Sequence, residues 1–232
     1  MLVKGKKNTD VLIKDEKTIN QRTEQTYLDN CKRLNKLIEE AEINNSWDEI
    51  FLDKTFKKEN LHIPVHEKCG MTKNDSDTVY EKRICRCMFY YDDTNNNCIE
   101  CPLKKKYKNI SKRYLITDAE KPTQKVIKSC GGIDLVIVDK LDNNKEYAVE
   151  VKPDYSKETI VRMVAEIFTY TIEFPNMEKS IAFFEGSRQD EDYKKYYSNP
   201  EFKKMIDQVH IFKFVEKNNN NGVINFDIVK IK

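Results

Sequence analysis

The sequence predicts an α/β fold, in which a mixed sheet is flanked by helices and preceded by a small cysteine-rich, metal-binding insert. Two apolar runs of strand length, 131–138 and 147–152, each contain an acidic residue. A helical pattern of apolar residues follows over 157–171, and a third apolar run at 180–184 has the length of a core strand. Strand patterns interleaved with helical patterns are typical of a sheet covered by helices.

An N-terminal helical region is predicted over residues 1–60. Apolar side chains recur there at helical spacing from 24 to 58. The pattern breaks at Asn44, and Ser46 with Glu49 three residues later forms a capping box. The region should therefore contain two helices.

Residues 61–108 contain two closely spaced pairs of cysteines. Cys85 and Cys87 form a Cys-x-Cys pair, and Cys98 and Cys101 form a Cys-x-x-Cys pair across a polar loop. Four thiolates at this spacing suit a tetrahedral Zn²⁺ ion, which would stabilise a segment too polar to build its own core. A [4Fe–4S] cluster also takes four thiolates. Zinc, an iron–sulfur cluster and free, unrelated cysteines are the three alternatives.

The chain has seven cysteines, and an odd number argues against a framework of disulfides in a reducing compartment. Cys69, with His62 and His66 before it, is an alternative for one of the four ligands. Cys31 and Cys130 are expected to pack in the core.

A basic run with an interleaved tyrosine closes this region. Lys104, Lys105, Lys106 and Lys108 surround Tyr107. Lysines neutralise phosphates and aromatic rings stack on bases, so the run predicts a nucleic-acid contact. The alternative is the lysine-rich background of the chain, in which Lys and Arg make up 41 of 232 residues.

Residues 109–232 are predicted to form the core, and two of its strands carry unusual charges. Side chains two apart on a strand share a face, so Glu150 and Lys152 point the same way. Asp134 is the single acid of the preceding strand run. Burying an ion costs several kcal/mol unless a partner or a metal neutralises it. The three charges therefore predict a functional site, against the alternative of an edge strand with incidental charges.

The remaining patterns complete the mixed sheet. Pro153 ends the second strand, and Ser156 is the expected cap of the following helix. Downstream patterns predict two helices, a strand and the second strand of a terminal hairpin: 190–197, 200–207, 210–215 and 223–229.

The two acid-bearing strands and the helix after them resemble the PD-(D/E)XK nuclease superfamily, which has the restriction-endonuclease-like fold. The resemblance covers about 110 to 215. It implies that Asp134 and Glu150 hold Mg²⁺, or Mn²⁺, at the scissile phosphate and that Lys152 positions or activates the attacking water. Ile133 stands where the name of the family has proline.

Members of this superfamily also place a further acid on a helix before the sheet. Glu49 is one candidate, with Glu39 and Glu40 as alternatives. Glu166 and Tyr170 resemble the Gln-three-residues-Tyr signature of RecB-like nucleases, with Glu replacing Gln. An ordinary amphipathic helix flank is the alternative interpretation of that pair.

Composition sets outer limits on function. The chain of 232 residues is long enough for one principal core, and its formal net charge of +2 is too small to indicate nucleic-acid binding by itself. No apolar stretch approaches the roughly 18 residues that a membrane span needs, and the first residues lack the apolar segment of a signal peptide. We therefore expect a cytoplasmic protein without a membrane partner.

Together, these patterns predict a magnesium-dependent endonuclease or exonuclease that hydrolyses phosphodiester bonds of DNA. The sequence leaves open whether RNA is also a substrate and whether the chain forms a homodimer. One alternative is a catalytically inactive nucleic-acid-binding or assembly protein of the same fold. Another is a zinc-stabilised nucleic-acid-binding protein that uses the basic run. Intact Asp134, Glu150 and Lys152 favour the enzyme, because a site without chemistry has no reason to keep two acids in its core.

Overall fold

The computed structural model describes residues 24–51, 80–91, 106–122, 132–172 and 174–232. Within these ranges the chain forms a mixed seven-stranded sheet flanked by helices, which confirms the α/β prediction. The strands in chain order are β1 (Lys106–Asn109), β2 (Tyr114–Pro122), β3 (Gly132–Asp139), β4 (Lys145–Lys152), β5 (Glu178–Phe184), β6 (His210–Asn220) and β7 (Val223–Lys230).

The strands lie in the spatial order β1-β7-β6-β5-β4-β3-β2. β4, β5 and β6 are parallel neighbours, and β1 is parallel to β7. The other three pairs, β2 with β3, β3 with β4 and β6 with β7, are antiparallel. The apolar run predicted at 180–184 lies in β5 at the centre of the sheet, where both of its faces are covered.

The described helices are α1 (Glu24–Asn44), α2 (Trp47–Phe51), α3 (Tyr80–Tyr90), α4 (Ile160–Tyr170), α5 (Arg188–Tyr196) and α6 (Pro200–Ile206). All of them except α3 contribute to an apolar core on one face of the sheet. α3 packs on the other face through Ile84, Cys85 and Met88. None of the helices in the described ranges is both long enough and apolar enough to cross a membrane.

The sheet is curled, so its two edge strands approach each other. β1 and β2 lie at opposite ends of the strand order, yet only residues 110–113 connect them. A flat sheet of this width would separate its edges by about 29 Å, more than the roughly 18 Å that this connection can span. The side-chain amide of Asn109 donates to the carbonyl oxygen of Tyr114 at 2.9 Å. The Tyr114 ring also contacts Phe212 of β6, with 5.3 Å between ring centroids. α3 therefore lies against the concave face.

The terminal hairpin predicted from the sequence is confirmed. β6 and β7 pair in antiparallel register and are joined by Asn221 and Gly222. Both residues have positive φ angles, 51° and 83°. Two consecutive residues in the left-handed region form the turn that matches the twist of a hairpin, and Asn-Gly is its preferred sequence.

The helix predicted at 157–171 begins later than expected. Thr159 is its N-cap, and the Thr159 hydroxyl accepts a hydrogen bond from a backbone N–H in the first turn at 3.2 Å. The predicted cap, Ser156, lies in a separate turn, in which its N–H donates to the carbonyl of Pro153. Its hydroxyl accepts from the N–H of Glu158 at 3.2 Å. The predicted cap was wrong because serine satisfies nearby backbone groups in turns as well as at helix ends.

The described parts of the three predicted regions pack as one unit. Leu34 of α1 and Phe51 of α2 are buried in the same core as α4. β1 pairs with β7, and α3 covers the concave face, although α3 and all but the last residue of β1 lie in the predicted insert at 61–108. This difference has a physical reason, since the apolar face of α3 needs the sheet to cover it.

An ion pair between Arg113 and Asp139 connects the start of β2 to the end of β3. Nε and Nη2 of Arg113 donate to the carboxylate of Asp139 at 2.9 and 2.7 Å. The backbone N–H of Leu141 donates to the same carboxylate at 3.0 Å. The hydrogen bonds from Arg113 hold the pKa of Asp139 below its usual value.

Asp139→Asn is expected to lower the free energy of unfolding at neutral pH. The loss should be about 1 kcal/mol, because the Arg113 side chain of the pair is half exposed and solvent screens its charge. A carboxylate whose pKa is lowered by folding stabilises the fold above its unfolded pKa, and that stabilisation disappears as the pH falls. Urea denaturation should therefore show a smaller difference from wild type at about pH 3 than at neutral pH. An equal difference at both would contradict the role assigned to the ion pair.

Candidate metal centre

Asp134 and Glu150 lie side by side on β3 and β4. Leu135 pairs with Val149 in the antiparallel register, which places the preceding acid opposite the following one. The backbone N–H of Val151 donates to Asp134 Oδ2 at 2.8 Å and fixes this carboxylate against β4. Glu150 is buried, with 2% of its surface exposed. The structure thus brings together the two acids that the strand patterns indicated.

The carboxylate of Glu81 completes the group. Glu81 lies in the first turn of α3. One carboxylate oxygen from each of Glu81, Asp134 and Glu150 lies within 4.8 Å of the other two. We call these three residues the acidic triad. Hard divalent cations such as Mg²⁺ prefer carboxylate oxygens in this kind of arrangement.

The ammonium group of Lys152 lies among four carboxylates. Its Nζ is 2.6 Å from Glu150 Oε1 and 3.0 Å from Glu81 Oε1. Glu158 and Glu166 approach the same nitrogen at 3.1 and 3.4 Å. Burial alone would lower the pKa of Lys152, but the surrounding carboxylates, led by Glu150, raise it well above its usual value. Lys152 therefore carries a positive charge.

Glu158 and Glu166 are held in place by Arg162. Nη1 of Arg162 lies 2.5 Å from Glu158 Oε1, and its Nε donates to Glu166 Oε1 at 2.9 Å. The loop that carries Glu158 is fixed by Gln189, which is fully buried. Nε2 of Gln189 donates to the carbonyl oxygens of Ser156 and Glu158 at 3.2 and 2.7 Å. α4 and this loop thus form a hydrogen-bonded wall beside Lys152.

Glu166 and Tyr170, the pair indicated on the helix, both lie near the acidic triad. Glu166 is 8% exposed and faces Lys152. Burial raises the pKa of Tyr170 well above its usual value, and the charges of Glu166 and Glu150 raise it further. Tyr170 is therefore a neutral phenol beside the carboxylates.

The acidic triad carries an unfavourable concentration of negative charge. Burial, reinforced by the Glu81 carboxylate, raises the pKa of Asp134 to about 8. Burial and the Asp134 carboxylate raise the pKa of Glu150 well above its usual value. In addition, Oε2 of Glu150 is buried without a hydrogen-bond partner. A divalent cation would neutralise these charges and satisfy this oxygen, so the residues fit Mg²⁺ or Mn²⁺.

Asp134→Asn is expected to make the metal-free protein more stable at pH 8. Folding raises the pKa of Asp134 from 3.8 to about 8, so the fold loses stability as the pH rises through that range. The amide cannot ionise, yet its oxygen can still accept from Val151. The gain should be at least about 1.4 kcal/mol, the equivalent of one pKa unit. Urea denaturation in EDTA measures it.

Two comparisons sharpen this experiment. Asp139→Asn should have the opposite effect at the same pH, because folding lowers the pKa of Asp139. Added Mg²⁺ should stabilise the wild-type protein more than Asp134→Asn, because the variant has one carboxylate fewer in the acidic triad. An Asp134→Asn protein that is less stable than wild type in EDTA would contradict charge repulsion within the acidic triad.

Of the acids predicted on N-terminal helices, Glu39 and Glu40 do not supply the third carboxylate, and Glu49 stays a prediction. Glu49 lies in α2, and its side chain is outside the described part of the structure. Glu39 and Glu40 are exposed on α1, where Glu39 pairs with Lys204. Glu81 of α3 is instead the helical acid beside the strands.

Cys85 and Cys87 lie within α3, and both are buried. Helix residues two apart point about 200° apart, so these two thiols do not face a common ion. Burial raises the pKa of the Cys85 thiol well above its usual value, which disfavours the thiolate form that binds zinc. Cys98 and Cys101 lie outside the described residues. The four-thiolate site stays a prediction, and the geometry of α3 argues against the first pair as joint ligands.

Elemental analysis tests the cysteine prediction directly. A four-ligand site predicts about one equivalent of metal per chain. Zinc in a colourless protein supports the zinc site, whereas a brown protein absorbing at roughly 400 nm supports the iron–sulfur cluster. Protein prepared anaerobically that holds neither metal would contradict both. The alternative ligands His62, His66 and Cys69 also lie outside the described residues.

The described part of the basic run forms β1. Lys106 and Lys108 are partly buried there, and Tyr107 between them is 4% exposed in the core. The burial of its ring leaves Tyr107 unable to stack on a base. β1 begins beside the turn of the β6–β7 hairpin, at the end of the sheet where β4 also ends. The two lysines thus lie toward the same end of the sheet as the acidic triad. Lys104 and Lys105 are outside the described residues.

Sequence reasoning missed Glu81 and Glu158. Glu81 precedes a helical period of apolar residues at Ile84, Cys85 and Met88, which was a usable signal. The pair Cys85 and Cys87 in the same segment instead predicted a metal-binding loop. Glu158 had no comparable signal, because a glutamate in a polar loop is normally solvated.

Comparisons of the chain with protein-family models, with curated proteins and with solved structures gave no significant match.

Proposed function

We propose that the protein is a metal-dependent nuclease that hydrolyses phosphodiester bonds of DNA and has a restriction-endonuclease-like fold of the PD-(D/E)XK superfamily. The observation that carries the proposal is the acidic triad with the Lys152 ammonium 2.6 Å from one of its oxygens. Clustered carboxylates with an adjacent buried cation are groups suited to metal-dependent hydrolysis of a phosphodiester.

Glu81, Asp134 and Glu150 are the residues that would hold Mg²⁺ or Mn²⁺. The bound cation supplies charge that polarises a phosphoryl oxygen and lowers the pKa of water. The protein supplies orientation: the N–H of Val151 fixes Asp134 at 2.8 Å, and Lys152 fixes Glu150 at 2.6 Å. These contacts organise the ligands before substrate arrives.

Lys152 acts as a fixed cation in this proposal. The surrounding carboxylates raise its pKa, so it is protonated in the metal-free site. A protonated amine can donate hydrogen bonds to an attacking water and to the phosphate oxygens. It thereby orients the water and stabilises the negative charge that grows in the transition state.

The test is incubation of the full chain with circular DNA, linear DNA and RNA, in Mg²⁺ or in EDTA. We expect DNA cleavage in Mg²⁺ and none in EDTA. Cutting of circular DNA would identify an endonuclease, and degradation of linear DNA alone an exonuclease. Asp134→Asn purified in parallel controls for contaminating nucleases. DNA binding without cleavage in either Mg²⁺ or Mn²⁺ would support the inactive binding protein and contradict the proposal.

A further inference from the structure

Glu120, on the edge strand β2, has a backbone conformation that residues with a Cβ rarely adopt. Its φ angle is 55°, in the left-handed region. Gly132 of β3 lies against this segment, and a Cβ there would be 3.1 Å from the carbonyl oxygen of Lys121. The distortion thus lies against β3 two residues before Asp134. A strained residue of this kind persists only where surrounding contacts hold it.

Side chains of α3 hold the Glu120 carboxylate. Nε and Nη2 of Arg86 lie 2.6 and 2.5 Å from Glu120 Oε2. Nζ of Lys82 lies 3.8 Å from the other oxygen. The side chains of Arg86 and Glu120 are 15% and 10% exposed, so the pair is shielded from solvent. Lys82 and Arg86 are one helical turn apart on the same face of α3, so Glu120 lies near two successive turns of this helix.

The neighbouring face of α3 carries Glu81. Successive helix residues are rotated by about 100°, so Glu81 and Cys85 share a face beside the one that carries Lys82 and Arg86. Glu81 also lies in the first turn, where a helix has the fewest backbone hydrogen bonds to constrain it. A rotation of α3 about its axis would move the Glu81 carboxylate away from the other two acids.

We infer that Glu120 and Arg86 are a positioning pair, which sets the rotation of α3 and so places Glu81 in the acidic triad. The role of this pair rests on the proposed function, since Glu81 is a metal ligand only if the triad binds a cation. Neither residue touches the reacting atoms. Their effect is on how well the third ligand is placed, as with other residues that orient metal ligands.

Calorimetric titration of the full chain with Mn²⁺ alone tests the inference without relying on cleavage. Glu120→Gln keeps the shape of the side chain but removes its charge, and should weaken Mn²⁺ binding about tenfold or more. Arg86→Gln should do the same. Because both act through one contact, the double variant should bind no more weakly than either single variant.

The Arg113–Asp139 ion pair provides a matched control at the other end of the same two strands. Asp139→Asn should lose stability but keep wild-type Mn²⁺ affinity. If Glu120→Gln does not fold, Arg86→Lys takes its place. This variant keeps the positive charge but loses one of the two contacts with Glu120, and it should also weaken Mn²⁺ binding.

The two proposals fail in different ways. The proposed function would be overturned if the wild-type protein binds no Mn²⁺, or if it binds Mn²⁺ no more tightly than Asp134→Asn does. Wild-type binding that is lost in Asp134→Asn but unchanged in folded Glu120→Gln and Arg86→Gln would overturn the positioning pair alone. Equal weakening by Asp139→Asn would also overturn it, because the effect would then be general destabilisation.

Discussion

Asp134→Asn and Glu150→Gln are each expected to abolish Mg²⁺-dependent cleavage of DNA while the protein stays folded. Each change replaces a carboxylate with an amide of nearly the same shape, so the hydrogen bond from Val151 to residue 134 can survive. The negative charge that holds the cation is lost. We expect the rate to fall by at least about a hundredfold, the scale for loss of one strong electrostatic contribution. Cleavage of labelled DNA at saturating protein, over a range of Mg²⁺ concentrations, measures this.

The control for this experiment lies on the same strand. Asp139→Asn removes a carboxylate from the far end of β3, where Asp139 pairs with Arg113, and should leave cleavage unchanged. Circular dichroism establishes whether each variant is folded. Full activity in either Asp134→Asn or Glu150→Gln would remove that residue from the site and contradict the proposed mechanism.

The strand part of the site could be predicted because strands impose a simple rule on their side chains. Glu150 and Lys152 had to share a face of β4, and an acid in the adjacent apolar run was the natural partner. The structure places Asp134 and Glu150 together as that rule requires. The helix carrying Glu166 and Tyr170 was likewise indicated by its apolar stripe, and it packs on the same face as these acids.

The remainder of the site depends on tertiary geometry that no local pattern encodes. Glu81 lies beside Asp134 and Glu150 although α3 packs on the face of the sheet opposite α4, an arrangement that depends on how the helix and the sheet pack. Glu158 reaches Lys152 because Gln189, on a distant helix, fixes its loop. Such contacts between elements far apart in sequence are outside the reach of periodicity and capping rules.

Lys152→Ala is expected to slow the chemical step far more than it weakens DNA binding. The Lys152 ammonium is buried against Glu150, at 2.6 Å, rather than on the exposed surface, and in the proposed mechanism it stabilises the negative charge that grows in the transition state. Single-turnover cleavage at saturating protein should fall by roughly a hundredfold or more, with near-normal DNA affinity. Surface lysines that contact phosphates would instead lower affinity in a salt-dependent way.

Lys213→Ala is the matched control for this variant. Lys213 lies at the level of Lys152 in the sheet, two strands away, and is a largely buried lysine paired with the buried Asp190 at 2.7 Å. Each substitution removes one buried cation from acids that it pairs with, so both should lower stability, although Asp190 keeps its ion pair with Lys194 at 2.8 Å. Only Lys152→Ala should slow cleavage, measured at saturating Mg²⁺ and below the unfolding temperature of both variants. A Lys152→Ala protein that binds DNA weakly but cuts at the normal rate when saturated would make Lys152 a phosphate contact and exclude its proposed part in the reaction.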